Sequence, residues 1–186
     1  MAEQGTAERL IEIALAEVGY IEESVPENKT KYQKANQAWC GAFVNWCGKK
    51  SGVTLPNCVY TPAGADAFKK LKSWFEGEDC MPQPGDIVFF DFPADGVDRI
   101  SHVGIVVKDN EDGTVWCVEG NTSSKKKGSQ RNGGETCKQL RAFKKNKAGL
   151  QISIVGFGRP KFGKAASTSS APKPAAKSDK CPTCGK

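Results

Sequence analysis

A cysteine, a lone histidine and two residues able to orient it lie at spacings that suit nucleophilic catalysis. The stretch Gln37-Ala38-Trp39-Cys40-Gly41-Ala42-Phe43-Val44-Asn45-Trp46-Cys47 has apolar residues at 39, 42, 43, 46 and 47, the spacing of one helix face. A polar, turn-prone lead-in from Asn28 to Gln37 puts Cys40 in the first turn. There, free N–H groups and the positive end of the helix dipole favour a thiolate. His102 is the only histidine of the chain, within Ile100-Ser101-His102-Val103-Gly104-Ile105, a β-branched run that reads as a strand. Asp109-Asn110-Glu111-Asp112-Gly113 reads as a hairpin turn into Val115-Trp116-Cys117-Val118-Glu119. An antiparallel pairing about that turn brings Glu119 and Asn121 level with the start of the His102 strand. A carboxylate or amide there can fix the imidazole tautomer while His102 takes the proton from Cys40. Each residue also has a plainer role open to it: free cysteine is among the most buried residue types, and Cys47, on roughly the same face, reads as a core residue.

The elements that must hold these groups follow from periodicity. Leu10, Ile11, Ala14, Leu15 and Val18 share one face of a helix over Glu8–Val18, which Gly19 ends. Residues 21–38 are polar and aperiodic, a long loop leading into the Cys40 helix; Lys49 and Lys50 occupy that helix's last turn and Gly52 is placed as its left-handed cap. Thr61-Pro62 reads as a hydroxyl cap and first-turn proline of a third helix, with Ala67, Phe68, Leu71, Trp74 and Phe75 as its apolar face. From Pro84-Gly85-Asp86 the pattern turns extended: Ile87–Phe90, Ile100–Val107, Val115–Glu119, Gln139–Phe143 and Ile152–Phe157. Three helices followed by about five mostly antiparallel strands predict an α+β domain over residues 1–162.

At 186 residues the chain is long enough for one such core plus a tail, and no apolar run approaches the roughly 18 residues of a membrane span. Met1 to Tyr20 lacks the features of a signal peptide, so synthesis in the cytoplasm is expected and most of the eight cysteines should be reduced. The net charge of +6 conceals a division: residues 1–121 carry 11 Lys and Arg against 19 Asp and Glu, whereas residues 122–186 carry 16 against 2. Residues 163–180 are rich in Ala, Ser, Pro and Lys and cannot bury a core, which predicts a disordered linker. It leads to a tail, 181–186, in which Cys181 and Cys184 form a CxxC. A basic end attracts polyanions such as nucleic acid, anionic lipid or anionic wall polymers, or serves only to keep the chain soluble.

Four blocks, Trp39-Cys40-Gly41-Ala42-Phe43-Val44, Pro84-Gly85-Asp86-Ile87-Val88-Phe89-Phe90, Ser101-His102-Val103-Gly104-Ile105-Val106 and Val118-Glu119-Gly120-Asn121, resemble the successive motifs of the CHAP domain, the cysteine, histidine-dependent amidohydrolase/peptidase family. The resemblance covers about residues 5–160. It implies a papain-like α+β fold and cleavage of amide bonds in bacterial peptidoglycan by an enzyme most similar to a bacteriophage endolysin, made in the host cytoplasm and acting on the wall. Catalytic roles map to Cys40 as nucleophile, His102 as base, and Glu119 and Asn121 as orienting groups. The backbone N–H of Cys40 is a candidate oxyanion donor, with Gln37 or Asn36 as a second. Gln37, Trp39 and Trp116, with Trp46, are candidates for lining a substrate groove, although core packing is the commoner fate of such rings. Some family members carry an acidic calcium loop before the nucleophile; Lys31 to Trp39 contains no Asp or Glu, so no calcium and no other cofactor is expected there. The expected partner is peptidoglycan, with anionic wall polymers through the tail; nucleic acid is not the favoured partner, and a monomer is expected. The rivals are a wall-binding module without turnover, a zinc or nucleic-acid protein using the basic region and Cys181 with Cys184, and a thiol oxidoreductase using that same pair. A structural zinc normally needs four ligands, and two chains would have to supply them.

Overall fold

The structure is a computed structural model that describes residues 1–23, 28–92, 99–125 and 128–163. The linker beyond Gly163 and the Cys181–Cys184 pair lie outside the described residues. Three helices, α1 (Ala7–Ala16), α2 (Cys40–Ser51) and α3 (Thr61–Lys70), pack on one antiparallel sheet. The strands are β1 (Trp74–Glu76), β2 (Ile87–Asp91), β3 (Ile100–Asp109), β4 (Thr114–Thr122), β5 (Glu135–Ala142) and β6 (Ile154–Gly158), in the order β1-β6-β2-β3-β4-β5. The class is α+β, as the periodicities predict. None of the described helices is long and apolar enough to cross a membrane.

Each helix starts and stops for local reasons. Thr6 caps α1 by accepting from the Arg9 N–H, and the helix buries Leu10 and Ala14. It ends before Val18, which stays exposed. Helix α2 is the centre of the molecule: Cys40 to Val44, Cys47, Gly48 and Ser51 are all buried, and Gly52 closes it in the left-handed region with φ 71°. Helix α3 departs from the sequence reading twice. Its cap position is Tyr60 rather than Thr61, whose hydroxyl instead donates to the Ile100 carbonyl at 3.3 Å. The helix also stops at Lys70, the chain turns through Lys72 at φ 54°, and Trp74 and Phe75 become strand β1 on the edge of β6. Gly156 and Gly158 make room for this: a Cβ at Gly156 would lie 2.3 Å from the Trp74 ring, and one at Gly158 would lie 2.4 Å from Phe68.

Strand β6, the last in chain order, lies inside the sheet, between β1 and β2. Apolar residues fill both faces. Against the helices lie Leu10, Phe43, Phe68, Phe89, Val103 and Ile105, while Val88, Phe90, Val106, Val115, Phe143 and Phe157 form a second cluster. Asp86, fully buried at the entry to β2, is held by a two-bond fork from Arg159 just after β6, Nε to Oδ1 and Nη2 to Oδ2, both 2.8 Å. That pairing compensates a buried charge and ties the last strand to the middle of the sheet.

Candidate active site

Cys40 is the first residue of α2, and no side chain caps the helix: Trp39 occupies the cap position and makes no side-chain cap bond. The N–H groups of the first turn are therefore left for a ligand, as the end of a helix allows. Gly41 is required by a close approach, because a Cβ there would lie 1.9 Å from the Cys58 carbonyl oxygen. Asn45 holds that neighbouring segment, donating from Nδ2 to the Pro56 carbonyl and accepting from the Cys58 N–H, each at 2.8 Å. The position of Cys40 is thus fixed by contacts on the turn after it.

His102 and Glu119 are both fully buried and meet as the hairpin register predicts, with Gly104 opposite Glu119 and the His102 Nε2 at 3.1 Å from Glu119 Oε2. An ionised carboxylate can only accept, so Nε2 carries the proton and donates to Glu119. This leaves Nδ1, which is buried without a hydrogen-bond partner, as the basic nitrogen. Burial opposes a charged imidazole, but Cys40 and then Glu119 outweigh it and raise His102 from 6.5 to about 9. The rings of Phe90 and Phe92 pack on the imidazole with centroids at 5.6 and 5.8 Å.

Glu119 has a further partner that the sequence reading missed. Arg141 on β5 donates from Nε to Oε1 and from Nη2 to Oε2, both at 2.7 Å, and from Nη2 to Gln130 Oε1 at 2.8 Å. Burial raises a carboxylate, yet Arg141 and then His102 hold Glu119 at about 2. The Cys117 thiol also points at Glu119 Oε1, at 3.5 Å. Arg141 sits within a basic stretch that looks like any solvated strand. Only the β4–β5 register, with Glu119 opposite Cys137 and Val115 opposite Arg141, puts the arginine on the right strand face and within a long side chain's reach.

The other sequence-derived site residues are placed elsewhere. Asn121 is buried at φ 58°, with Nδ2 donating to Asn132 Oδ1 at 3.0 Å and Oδ1 accepting from the Gly134 N–H at 3.2 Å. It anchors the loop before β5 and is not bonded to His102. Trp39, expected in a substrate groove, is instead fully buried; it stacks on Tyr32 and donates from Nε1 to Glu22 Oε2 at 2.8 Å. A ring that must satisfy its N–H inside the core is not a groove wall. Trp116, half-buried on β4, points to the face opposite Glu119 and lies under the Lys138 ammonium at 4.9 Å. Gln37 is exposed on the loop before α2, its carbonyl accepting from Gln33 Nε2. Asn36 bonds Asn28.

Five further cysteines, Cys47, Cys58, Cys80, Cys117 and Cys137, are buried and free. Burial is the first cause that pushes each of them up, Cys58 and Cys137 to about 12. Among the described residues no group of three or more Cys, His, Asp or Glu could hold a metal ion. A cavity of about 540 Å3 is lined by Phe92, Gln130, Arg131, Leu140, Arg141 and Leu150.

The family model of the CHAP domain matches residues 31–121. No curated protein matches the chain. The fold is similar to a crystal structure from Staphylococcus aureus subsp. aureus Mu50 of a protein similar to a lipoprotein of the NLP/P60 family, with 14% identity and a TM-score of 0.44. That likeness covers 82% of this chain and 41% of the other, so the chain spans less than half of its neighbour's length.

Proposed function

We propose that the protein, whose residues 31–121 match the family model of the CHAP domain, is a cysteine-dependent hydrolase that cuts an amide bond of bacterial peptidoglycan, of the kind a bacteriophage endolysin performs. The observation that carries this reading is the order Cys40, His102, Glu119: a thiol on an uncapped helix start, interacting with an imidazole whose far nitrogen is bonded to an ionised, buried carboxylate. Such a chain of groups lets the imidazole take the thiol proton while the carboxylate supports the charge that results.

The Cys40 thiolate attacks the carbonyl carbon, and the oxyanion is met by the first-turn N–H groups of α2, with that of Cys40 foremost. His102 gives the Nδ1 proton to the leaving amine as the C–N bond breaks, forming a thioester. A water then loses a proton to Nδ1, its oxygen attacks the thioester carbon, and the C–S bond breaks to release a carboxylate and restore the thiolate. Glu119 keeps Nε2–H engaged throughout and offsets the imidazolium charge. Asn121 supports the loop beside this strand; it does not orient the imidazole.

Zymography against peptidoglycan, with mass spectrometry of the fragments released, tests the reading. New amine and carboxyl ends generated by the wild type and not by a folded Cys40→Ala variant are expected. Release by both proteins, or by neither, would remove the proposal.

A further inference from the structure

We infer that Arg141, outside the CHAP-matched segment, is a positioning residue of the Cys40–His102 pair, acting through the fork by which it holds Glu119 against the imidazole. The inference rests on the proposed cysteine mechanism and extends it to a residue at the far edge of the sheet.

The geometry leaves Glu119 no freedom. Oε2 accepts from both His102 Nε2 and Arg141 Nη2, and Oε1 accepts from Arg141 Nε and the Cys117 thiol. A planar guanidinium matches a carboxylate with two parallel bonds, which fixes the plane of the acceptor as well as its distance. The guanidinium lies 4.9 Å from the Phe92 centroid and 5.7 Å from that of Phe90. Those two rings also pack on His102, so the imidazole and the guanidinium share one aromatic wall. Gln130 completes the clamp: its Oε1 accepts from Arg141 while its Nε2 donates to the Gly128 carbonyl at 3.0 Å, tying the arginine to the loop before β5.

The charges explain why a cation is needed. Facing Glu119 are His102 from β3, Cys117 on its own strand, and Cys137 and Arg141 from β5; facing His102 are Cys40 from α2 and Glu119. A carboxylate with no exposed surface would take up a proton unless compensated. A protonated Glu119 no longer specifies which imidazole nitrogen carries hydrogen. An ionised Glu119 without Arg141 would hold the imidazolium too firmly to release its proton. Arg141 prevents both.

The lone histidine makes this testable without substrate, since the imidazole 15N signals of the full chain report one residue. The titration of these signals is to be measured alongside kcat and KM on soluble peptidoglycan fragments for wild type, Arg141→Lys, Arg141→Gln, Glu119→Gln and the double variant Arg141→Gln/Glu119→Gln. Arg141→Gln should lower kcat about 10²-fold with KM unchanged, the loss of a support for general acid–base catalysis. Both limbs of its pH–rate profile and its imidazole titration should move to higher pH. Arg141→Lys, which keeps the charge without the fork, should lose less and shift less. The double variant should be no slower than Glu119→Gln alone, because residues acting through one group are not additive. If Arg141→Gln fails to fold, Arg141→Lys and the double variant carry the comparison. An unmoved imidazole titration in a folded Arg141 variant, a loss confined to KM, or additive losses in the double variant would overturn the inference. Wild-type protein that leaves peptidoglycan intact but whose imidazole titration still shifts on Arg141 substitution would overturn the proposed function alone.

Discussion

At the scale of single residues the proposed mechanism gives Cys40, His102 and Glu119 the parts of nucleophile, base and supporting carboxylate, with different expected losses. Cys40→Ala should reduce hydrolysis by about 10⁴-fold or more with the fold intact, because nucleophile and base act as a unit; circular dichroism and fragment release check it. Glu119→Gln should be milder, about 10²-fold in kcat, and should move the imidazole titration down from about 9, since one of the groups that raises it is gone. The same two groups set a pH dependence of stability. His102 is raised from 6.5, so its contribution is complete below about 6.5 and lost as pH climbs through about 9. Glu119 is lowered from 4.5, so its contribution is complete above about 4.5 and lost as pH falls through about 2. The urea midpoint should therefore fall between about pH 6.5 and pH 9, and His102→Gln should flatten that fall. Cys40, His102 and Glu119 were legible in the sequence because a helix period, a unique histidine and a hairpin turn each leave a local mark. Arg141 leaves none: its partner is chosen by strand register, and a strand arginine reads as solvated until the neighbouring strand is known. Asn121 shows the converse, a residue read as orienting whose amide the fold commits to the loop before β5.

Among the elements, α2 bears the tightest constraint. Gly41→Ala would press a methyl group into the Cys58 backbone, so the helix start or the 56–58 segment must move. Overpacking of this kind costs about 1–3 kcal/mol, and here it also displaces the nucleophile. The expected outcome is a lower Tm together with a fall in kcat; a variant that loses neither would show the approach to be slack. Helix α2 and strands β2 to β4 follow their sequence periods closely, since a buried helix and a hairpin are fixed by local pattern. The end of α3 does not. Trp74 and Phe75 continue a helical spacing, but a strand edge with glycines at 156 and 158 offers those rings a better-packed position than a fourth turn would. That preference lies 80 residues further along the chain.

For the whole molecule, charge is the property left over once the site is accounted for. The described residues finish where the Gly163 N–H donates to the Gly5 carbonyl at 2.8 Å and Phe162 packs against the helix-side core. A chain ending at Gly163 should therefore keep its Tm. Without the basic residues beyond, it should cleave soluble fragments normally but lyse whole cells more slowly at low salt. The difference should fade as the Debye length falls from about 10 Å at 0.1 M to about 3 Å at 1 M; equal lysis at every ionic strength would make the tail a solubiliser only. The sheet order also sets a timetable for synthesis. Strand β6 is the last to be translated, yet it belongs between β1 and β2. Cys40 thus leaves the ribosome about a hundred residues ahead of Arg141 and further still ahead of the strand that completes the sheet. A nascent chain carries its thiol long before the parts that aim it, so the cell translating this protein meets the working site only after translation has passed Gly158.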